Sequence, residues 1–373
     1  MQLEQRAAEE SSALVARDLQ DLYPARTIQV PVDHFHNDSI YEPHSDETFP
    51  LRYWFDASHY KKGGPVIVLQ GGETSGLGRL PFLQKGIVAQ LAQATHGLGV
   101  ILEHRYYGES YPTSDFSTES LRFLTTDQAL ADMAYFAEHV VFDGLEHLDL
   151  TAAKNPYIAY GGSYAGAFVA FLRKLYPDVY WGAISSSGVP EAIYDYWQYY
   201  EAHRLFAPQD CVVATQKLTH MVDNLLIGEA DTEYVQRLKT AFGLENVTRS
   251  DDFAYALSYG IAGLQGLNWD PAENDTAFGL YCNNMTSTAL LYPSTVDRES
   301  EARELLVSGG YGDEADTLAN QLLNYIGYVN TTLVRTCNKP NQDECFSNYH
   351  PTFYQQDDIK QSWRLWAYQY CSE

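Results

Sequence analysis

A chain of 373 residues is too long for one small domain and fits two domains, or one large domain carrying an insertion. Hydrophobic residues make up 45% and charged residues 20%, a globular composition that excludes disorder. Lys and Arg total 24 against 49 Asp and Glu, a formal charge of −25, which argues against nucleic acid and anionic membrane as partners. The charge suits solubility, or a compartment acidic enough to protonate many carboxylates. No run of about 18 apolar residues appears, so no transmembrane helix is expected. The polar first 20 residues have no apolar stretch of a secretion signal. Five N-x-S/T sequons, at Asn37, Asn246, Asn274, Asn284 and Asn330, nevertheless favour the secretory pathway. The cysteines are Cys211, Cys282, Cys337, Cys345 and Cys371, with no C-x-x-C pair to suggest a zinc ribbon. An odd count leaves one thiol over, and Cys371 is either free or paired outside the chain; both ends are expected to be incomplete.

The elements alternate in the first half. Residues 26–32 (RTIQVPV) and 51–55 (LRYWF) predict strands rich in β-branched and aromatic side chains. Residues 65–70 (PVIVLQ) and 97–103 (GLGVILE) are short apolar runs that suit buried parallel strands, with a helix over 82–94 between them. Thr125 followed by Gln128 has the form of a capping box that opens a helix. Residues 156–160 (PYIAY) and 179–186 (VYWGAISS) predict further strands, separated by a helix over 164–175. This alternation implies a parallel sheet with helices on its faces. From about residue 190 to 354 the pattern turns helical, clearest over 218–226, 234–242 and 315–328, and indicates one inserted helical domain.

The strongest chemical signal is Gly161-Gly162-Ser163-Tyr164-Ala165-Gly166, between a predicted strand and an apolar helix. That is the context of a nucleophile elbow, in which a sharp turn lifts the serine hydroxyl out of the sheet. The Tyr164 N–H would then face a developing oxyanion. The usual pattern is G-x-S-x-G; here Ala165 stands at the last position and Gly166 follows it. The loop Gln70-Gly71-Gly72-Glu73 follows an earlier strand, where hydrolases of this architecture place a second oxyanion donor, so Gly71 or Gly72 is expected to supply it. Glu73 is expected either to bind a substrate ammonium or to cap the next turn. Arg105, flanked by Glu103 and Glu109, suggests a buried ion-pair network with a supporting role. His34 and His36 lack a third ligand in the sequence, so no metal site is expected, and no cofactor.

These segments resemble the family of prolyl carboxypeptidase, dipeptidyl peptidase II and thymus-specific serine protease, which also includes secreted fungal post-proline endopeptidases. The matching stretches are 32–35, 51–53, 71–73, 103–110, 124–132 and 161–166, with 366–373 (WAYQYCSE) similar to the family's W-x-Y-Q-x-C-T-E segment. The resemblance implies an α/β fold: an α/β-hydrolase core with an inserted helical cap domain, core over 1–190, cap over 191–354, and a return to the core over 355–373. It gives Ser163 the nucleophile role and Tyr164 N–H an oxyanion donor. It places the triad Asp and His beyond the last matching segment, so the C-terminal strands of the core are expected to be missing and the chain impaired. His203, His220 and His350 have no matching context and receive no role.

The expected function is therefore a secreted or lysosomal/vacuolar serine peptidase acting on proline-containing peptides through an acyl-enzyme on Ser163. Two alternatives share the features: a non-catalytic paralogue that binds peptides or a partner, and an esterase or lipase on the same core.

Overall fold

The computed structural model describes residues 19–227, 232–267 and 275–373. The chain divides into two compact units, one of residues 1–193 and 355–373, the other of residues 194–354.

The first unit is built on a six-stranded sheet: β1 (Arg26–Pro31), β2 (Thr48–Asp56), β3 (Val66–Gln70), β4 (Leu98–Leu102), β5 (Tyr157–Gly162) and β6 (Gly182–Ser186), in the spatial order β1-β2-β4-β3-β5-β6. The sheet is mixed rather than parallel throughout. β2 runs antiparallel to both β1 and β4, while β3, β4, β5 and β6 are mutually parallel. β3 and β4 are buried along their whole length, and their alternate residues serve two cores. Val66, Val68, Val100 and Leu102 face one cluster with the helices Thr126–His139 and Tyr164–Leu175. Ile67, Leu69 and Ile101 face another, with Val88 and Ala92 of the helix Ile87–Thr95. Both faces being covered explains why these strands read as continuous apolar runs rather than alternating ones.

Two sequence expectations are corrected locally. The helix expected over 82–94 is two helices, Pro81–Gln84 and Ile87–Thr95, interrupted at Lys85 and Gly86. The capping box at Thr125 is only half made. Thr125 Oγ1 accepts from Gln128 N–H at 3.2 Å, but the Gln128 side chain donates to Asp33 Oδ1 at 2.7 Å and accepts from His34 N–H at 2.9 Å. Glu373 caps the next N–H of the helix start, accepting from Thr126 N–H at 2.7 Å.

All regular elements among the second unit's described residues are helical. Its two longest helices, Gln209–Leu226 and Ala315–Thr332, each bury a stripe at helical spacing, Leu218, Met221, Val222 and Leu225 on the first. Disulfides join Cys211 to Cys282 and Cys337 to Cys345, and Cys371 in the first unit is free and exposed. Among the described residues no helix is long and apolar enough to cross a membrane.

Candidate active site

β5 ends in Gly162, the helix Tyr164–Leu175 begins one residue later, and Ser163 makes the whole turn between them. Its backbone sits at φ 58°, ψ −125°, a conformation that a side chain disfavours. The turn is tied down on both sides. Ser163 N–H donates to the Ser186 carbonyl at 3.0 Å, and the Ser163 carbonyl accepts from Gly166 N–H at 2.9 Å. The departure from G-x-S-x-G has a steric reason. A Cβ at 166 would lie 2.7 Å from the Ser186 carbonyl oxygen and 2.9 Å from Gly188 Cα, so the close approach that demands glycine falls at 166, and the buried position 165 accepts Ala. A Cβ at Gly161 would lie 2.0 Å from the Ala165 carbonyl oxygen.

Ser163 is exposed, and its Oγ makes no hydrogen bond among the described residues. The Tyr164 N–H, first in its helix, also has no partner there, and it lies at the positive end of the helix dipole. A hydroxyl beside an unused N–H is the pair that acyl transfer needs, one atom to attack and one donor to meet the oxyanion.

The second loop departs from expectation. Gly71 N–H donates to the Leu102 carbonyl at 2.8 Å, extending the β3–β4 ladder, so it is not an oxyanion donor. Gly72, at φ 75°, donates its N–H to Gln70 Oε1 at 2.6 Å. Gly71 and Ser163 do line one cavity of about 320 Å³, together with Gln70, Arg79, Phe82 and Ser186. Glu73 caps nothing: the following 3₁₀ helix, Gly76–Arg79, is capped by Ser75, whose Oγ accepts from Leu77 N–H. Glu73 lines a different cavity, of about 400 Å³, with Tyr107, Tyr111 and Trp363.

Two buried ion pairs brace this region, but not the pairing that the Arg105 neighbours suggested. Arg105 is fully buried and grips Asp132 with two hydrogen bonds of 2.7 Å, while it also donates to the Val32 and Phe123 carbonyls. Arg105 and the His34 hydrogen bond hold the Asp132 carboxyl below the usual carboxylate range despite its burial. Glu103 pairs instead with Arg52 through two 2.8 Å bonds and accepts from Gly76 N–H and Ser110 Oγ, which anchors the strand ends that carry both loops.

Residue-by-residue reading missed the network behind Tyr164. The Tyr164 hydroxyl lies 3.1 Å from His104 Nε2 and accepts from Gln369 Nε2 at 3.0 Å; Gln369 Oε1 accepts from Tyr107 at 2.5 Å. His104 Nδ1 lies 2.8 Å from the Arg105 carbonyl, so it is the protonated nitrogen and Nε2 accepts from Tyr164. Burial lowers the His104 pKa to about 4 and keeps the ring neutral. The network fixes the ring of the residue that follows the nucleophile. Gln369 belongs to the 366–373 segment that carried the family resemblance; Arg79 had no comparable signal.

The remaining expected positions are spread over the molecule. His34 bonds Asp132 at 2.8 Å, whereas His36 does meet further ligand types: one ligand atom each from Asp33, His36 and His44 falls within 4.8 Å of the others. Both Asp33 oxygens are already used, by Phe35 N–H, Gln128 and His44, which accounts for the cluster without an ion. Of the sequons, Asn37 and Asn246 are exposed and Asn330 is half-buried. Asn284 is 1% exposed within a helix and donates to the Leu280 carbonyl, so that expectation is corrected: a glycan has no room there. Asn274 lies outside the described residues. His203, His220 and His350 lie in the second unit, His203 buried, the others bonded to the Tyr311 hydroxyl and the Asp343 carbonyl.

Comparison with known proteins shows the family. The family model described as serine carboxypeptidase S28 matches residues 31–373. A probable extracellular serine carboxypeptidase of Arthroderma benhamiae is 56% identical over 97% of this chain and 51% of its own length. Serine protease vicPa of Bipolaris victoriae is 35% identical over 66% of this chain and 45% of its own. Prolyl carboxy peptidase like protein 5 of Caenorhabditis elegans is 31% identical over 58% and 43%. The chain thus spans about half the length of the curated relatives it matches. A solved structure of a probable hydrolytic enzyme from Pseudomonas aeruginosa aligns over 83% of this chain and 68% of that one, at 10% identity and a TM-score of 0.31. With its elbow between a parallel strand and a helix on a six-stranded mixed sheet, the chain belongs to the serine carboxypeptidase S28 family.

Proposed function

We propose that the whole protein is a secreted serine peptidase that cleaves peptides after proline through an acyl-enzyme on Ser163. The observation that carries the reading is the Ser163 turn, strained at φ 58° and exposed, with its Oγ and the Tyr164 N–H both free of partners among the described residues. Oγ attacks the scissile carbonyl carbon, and the oxygen that gains charge is met by the Tyr164 N–H at the helix start. The C–N bond then breaks, the leaving amine takes the proton that the serine gave up, and water hydrolyses the ester. The proton's carrier is an imidazole that follows the nucleophile in chain order, as in other hydrolases of this fold. None of His203, His220 or His350 is assigned that role.

The proline preference rests on the family resemblance and on the name of the nematode relative. Secretion is supported by the relative named extracellular, by two disulfides and by the exposed sequons at Asn37 and Asn246. That no histidine meets Ser163 Oγ among the described residues favours a second reading, a peptide-binding paralogue without turnover. The two separate on the protein as the cell makes it. A fluorophosphonate probe should form an adduct on Ser163, and an N-blocked Pro-Phe peptide should be hydrolysed, both lost in Ser163→Ala. Peptide binding with neither adduct nor turnover would establish the second reading.

A further inference from the structure

We propose that Arg79 receives the C-terminal carboxylate of the peptide, so that the Ser163 site removes the last residue of a chain; this rests on Ser163 being the nucleophile. Arg79 lines the Ser163 cavity. Its Nε donates to the Gly71 carbonyl at 3.1 Å, which fixes the plane of the guanidinium against the loop facing the elbow. The two terminal nitrogens form no hydrogen bond and no ion pair among the described residues. Nη2 stands 3.7 Å from where a Cβ on Gly72 would lie, so the free end of the fork reaches along the same loop. Other arginines of this unit show what a carboxylate does when it is available: Arg52 and Arg105 are each gripped by two bonds from one acid. Those two use the Nε and Nη2 edge; with its Nε on Gly71, Arg79 offers instead the Nη1 and Nη2 end of the guanidinium, unclaimed among the described residues, in the cavity of the nucleophile.

The chemistry selects the ligand. A guanidinium anchored through Nε presents its remaining N–H groups as parallel donors, a geometry matched by a carboxylate. At a formal charge of −25, long-range attraction does not bring an anion to this protein, so recognition has to be local. Phe82 and Tyr160 add aromatic wall to the same cavity of about 320 Å³, enough for one large residue on the leaving side. The opposite preference, for an amino terminus, would use Glu73, but Glu73 lines the neighbouring cavity and not this one.

The test is equilibrium binding to the Ser163→Ala protein, which binds without cleaving, using N-blocked Pro-Phe as the free acid and as its amide. The acid should bind about tenfold or more tighter than the amide, the scale of a charge-assisted fork. Arg79→Gln should erase the difference, Arg79→Lys should keep part of it, and Glu73→Gln should leave it unchanged. Equal binding of acid and amide, no binding of either, or a preference that survives in Arg79→Gln overturns the proposal. An Arg79→Gln variant that only melts lower while keeping the acid preference assigns Arg79 to bracing the Gly71 carbonyl and likewise overturns it. The nucleophile is checked separately by the fluorophosphonate adduct. A Ser163 adduct with no acid preference refutes the Arg79 role alone, and an absent adduct refutes the parent reading.

Discussion

Replacing Ser163 by glycine should make the protein more stable, whereas replacing it by alanine should not. The Ser163 backbone, at φ 58° and ψ −125°, lies where a Cβ meets its own chain, and such a residue costs roughly 1–3 kcal/mol. Alanine keeps the Cβ and therefore the strain, and it removes a hydroxyl that has no hydrogen bond to lose. Glycine removes the strain but adds freedom to the unfolded chain, which takes back about 0.4–1 kcal/mol. The net expectation is that Ser163→Gly exceeds Ser163→Ala by about 1 kcal/mol. For a cooperative unit of 150–250 residues that is roughly 2–4 °C in melting temperature. Differential scanning calorimetry of the two variants side by side measures it, since both lack the hydroxyl and they differ in the strain and in the unfolded-chain freedom already subtracted. If Ser163→Gly melts at or below Ser163→Ala, the elbow is not strained and the argument from its geometry is wrong. If Ser163→Ala gains as much as glycine, the penalty belongs to the hydroxyl.

Two further outcomes follow from the buried groups around the elbow. Asp132→Asn should cost about 3–5 kcal/mol in chemical denaturation, because it strands the fully buried Arg105 charge; Asp132→Leu with Arg105→Met should restore most of that loss, and a single-variant cost below 1 kcal/mol would refute the pairing. His104 should make the fold lose stability on acidification. Its folded pKa, about 4, lies below the ordinary 6.5, so the unfolded chain takes up the proton first; the loss begins as pH falls below 6.5, levels off below 4 and reaches about 3 kcal/mol. His104→Gln should remove that slope between pH 7 and pH 4, and an unchanged slope would show that the ring titrates normally.

What was legible in the sequence was what is local. β3 and β4 announce themselves as short apolar runs, because both of their faces are buried. The elbow is visible because glycines crowd around one serine between a strand and a helix. Pairing partners are another matter. β2 looks like any half-buried strand, and nothing in its residues says that it runs antiparallel to β4. Gln128 has the right spacing to cap its own helix, yet Asp33 and the His34 N–H, some 95 residues away, draw it off. Gly71 stands where an oxyanion donor belongs, but its N–H is claimed by the continuing sheet ladder. Arg79 carried no signal because what marks it out is that no carboxylate among the described residues pairs with it, and that is a fact of three dimensions.

The interleaving of the two units along the chain sets an order of assembly. The helix Trp363–Ser372 supplies Leu365 to the first unit's core and Gln369 to the Tyr164 hydroxyl, yet it leaves the ribosome only after the entire 194–354 unit. At roughly 5–20 residues per second, the sheet and the elbow wait on the order of 10–40 s for this helix. The second unit meanwhile has its own core and both disulfides and can be complete before that helix arrives. Its early folding would hold the two ends of a long insertion in a fixed geometry and so spare the first unit the search for a distant partner. The nucleophile turn is thus translated early and braced by Gln369 only after the insertion has been made.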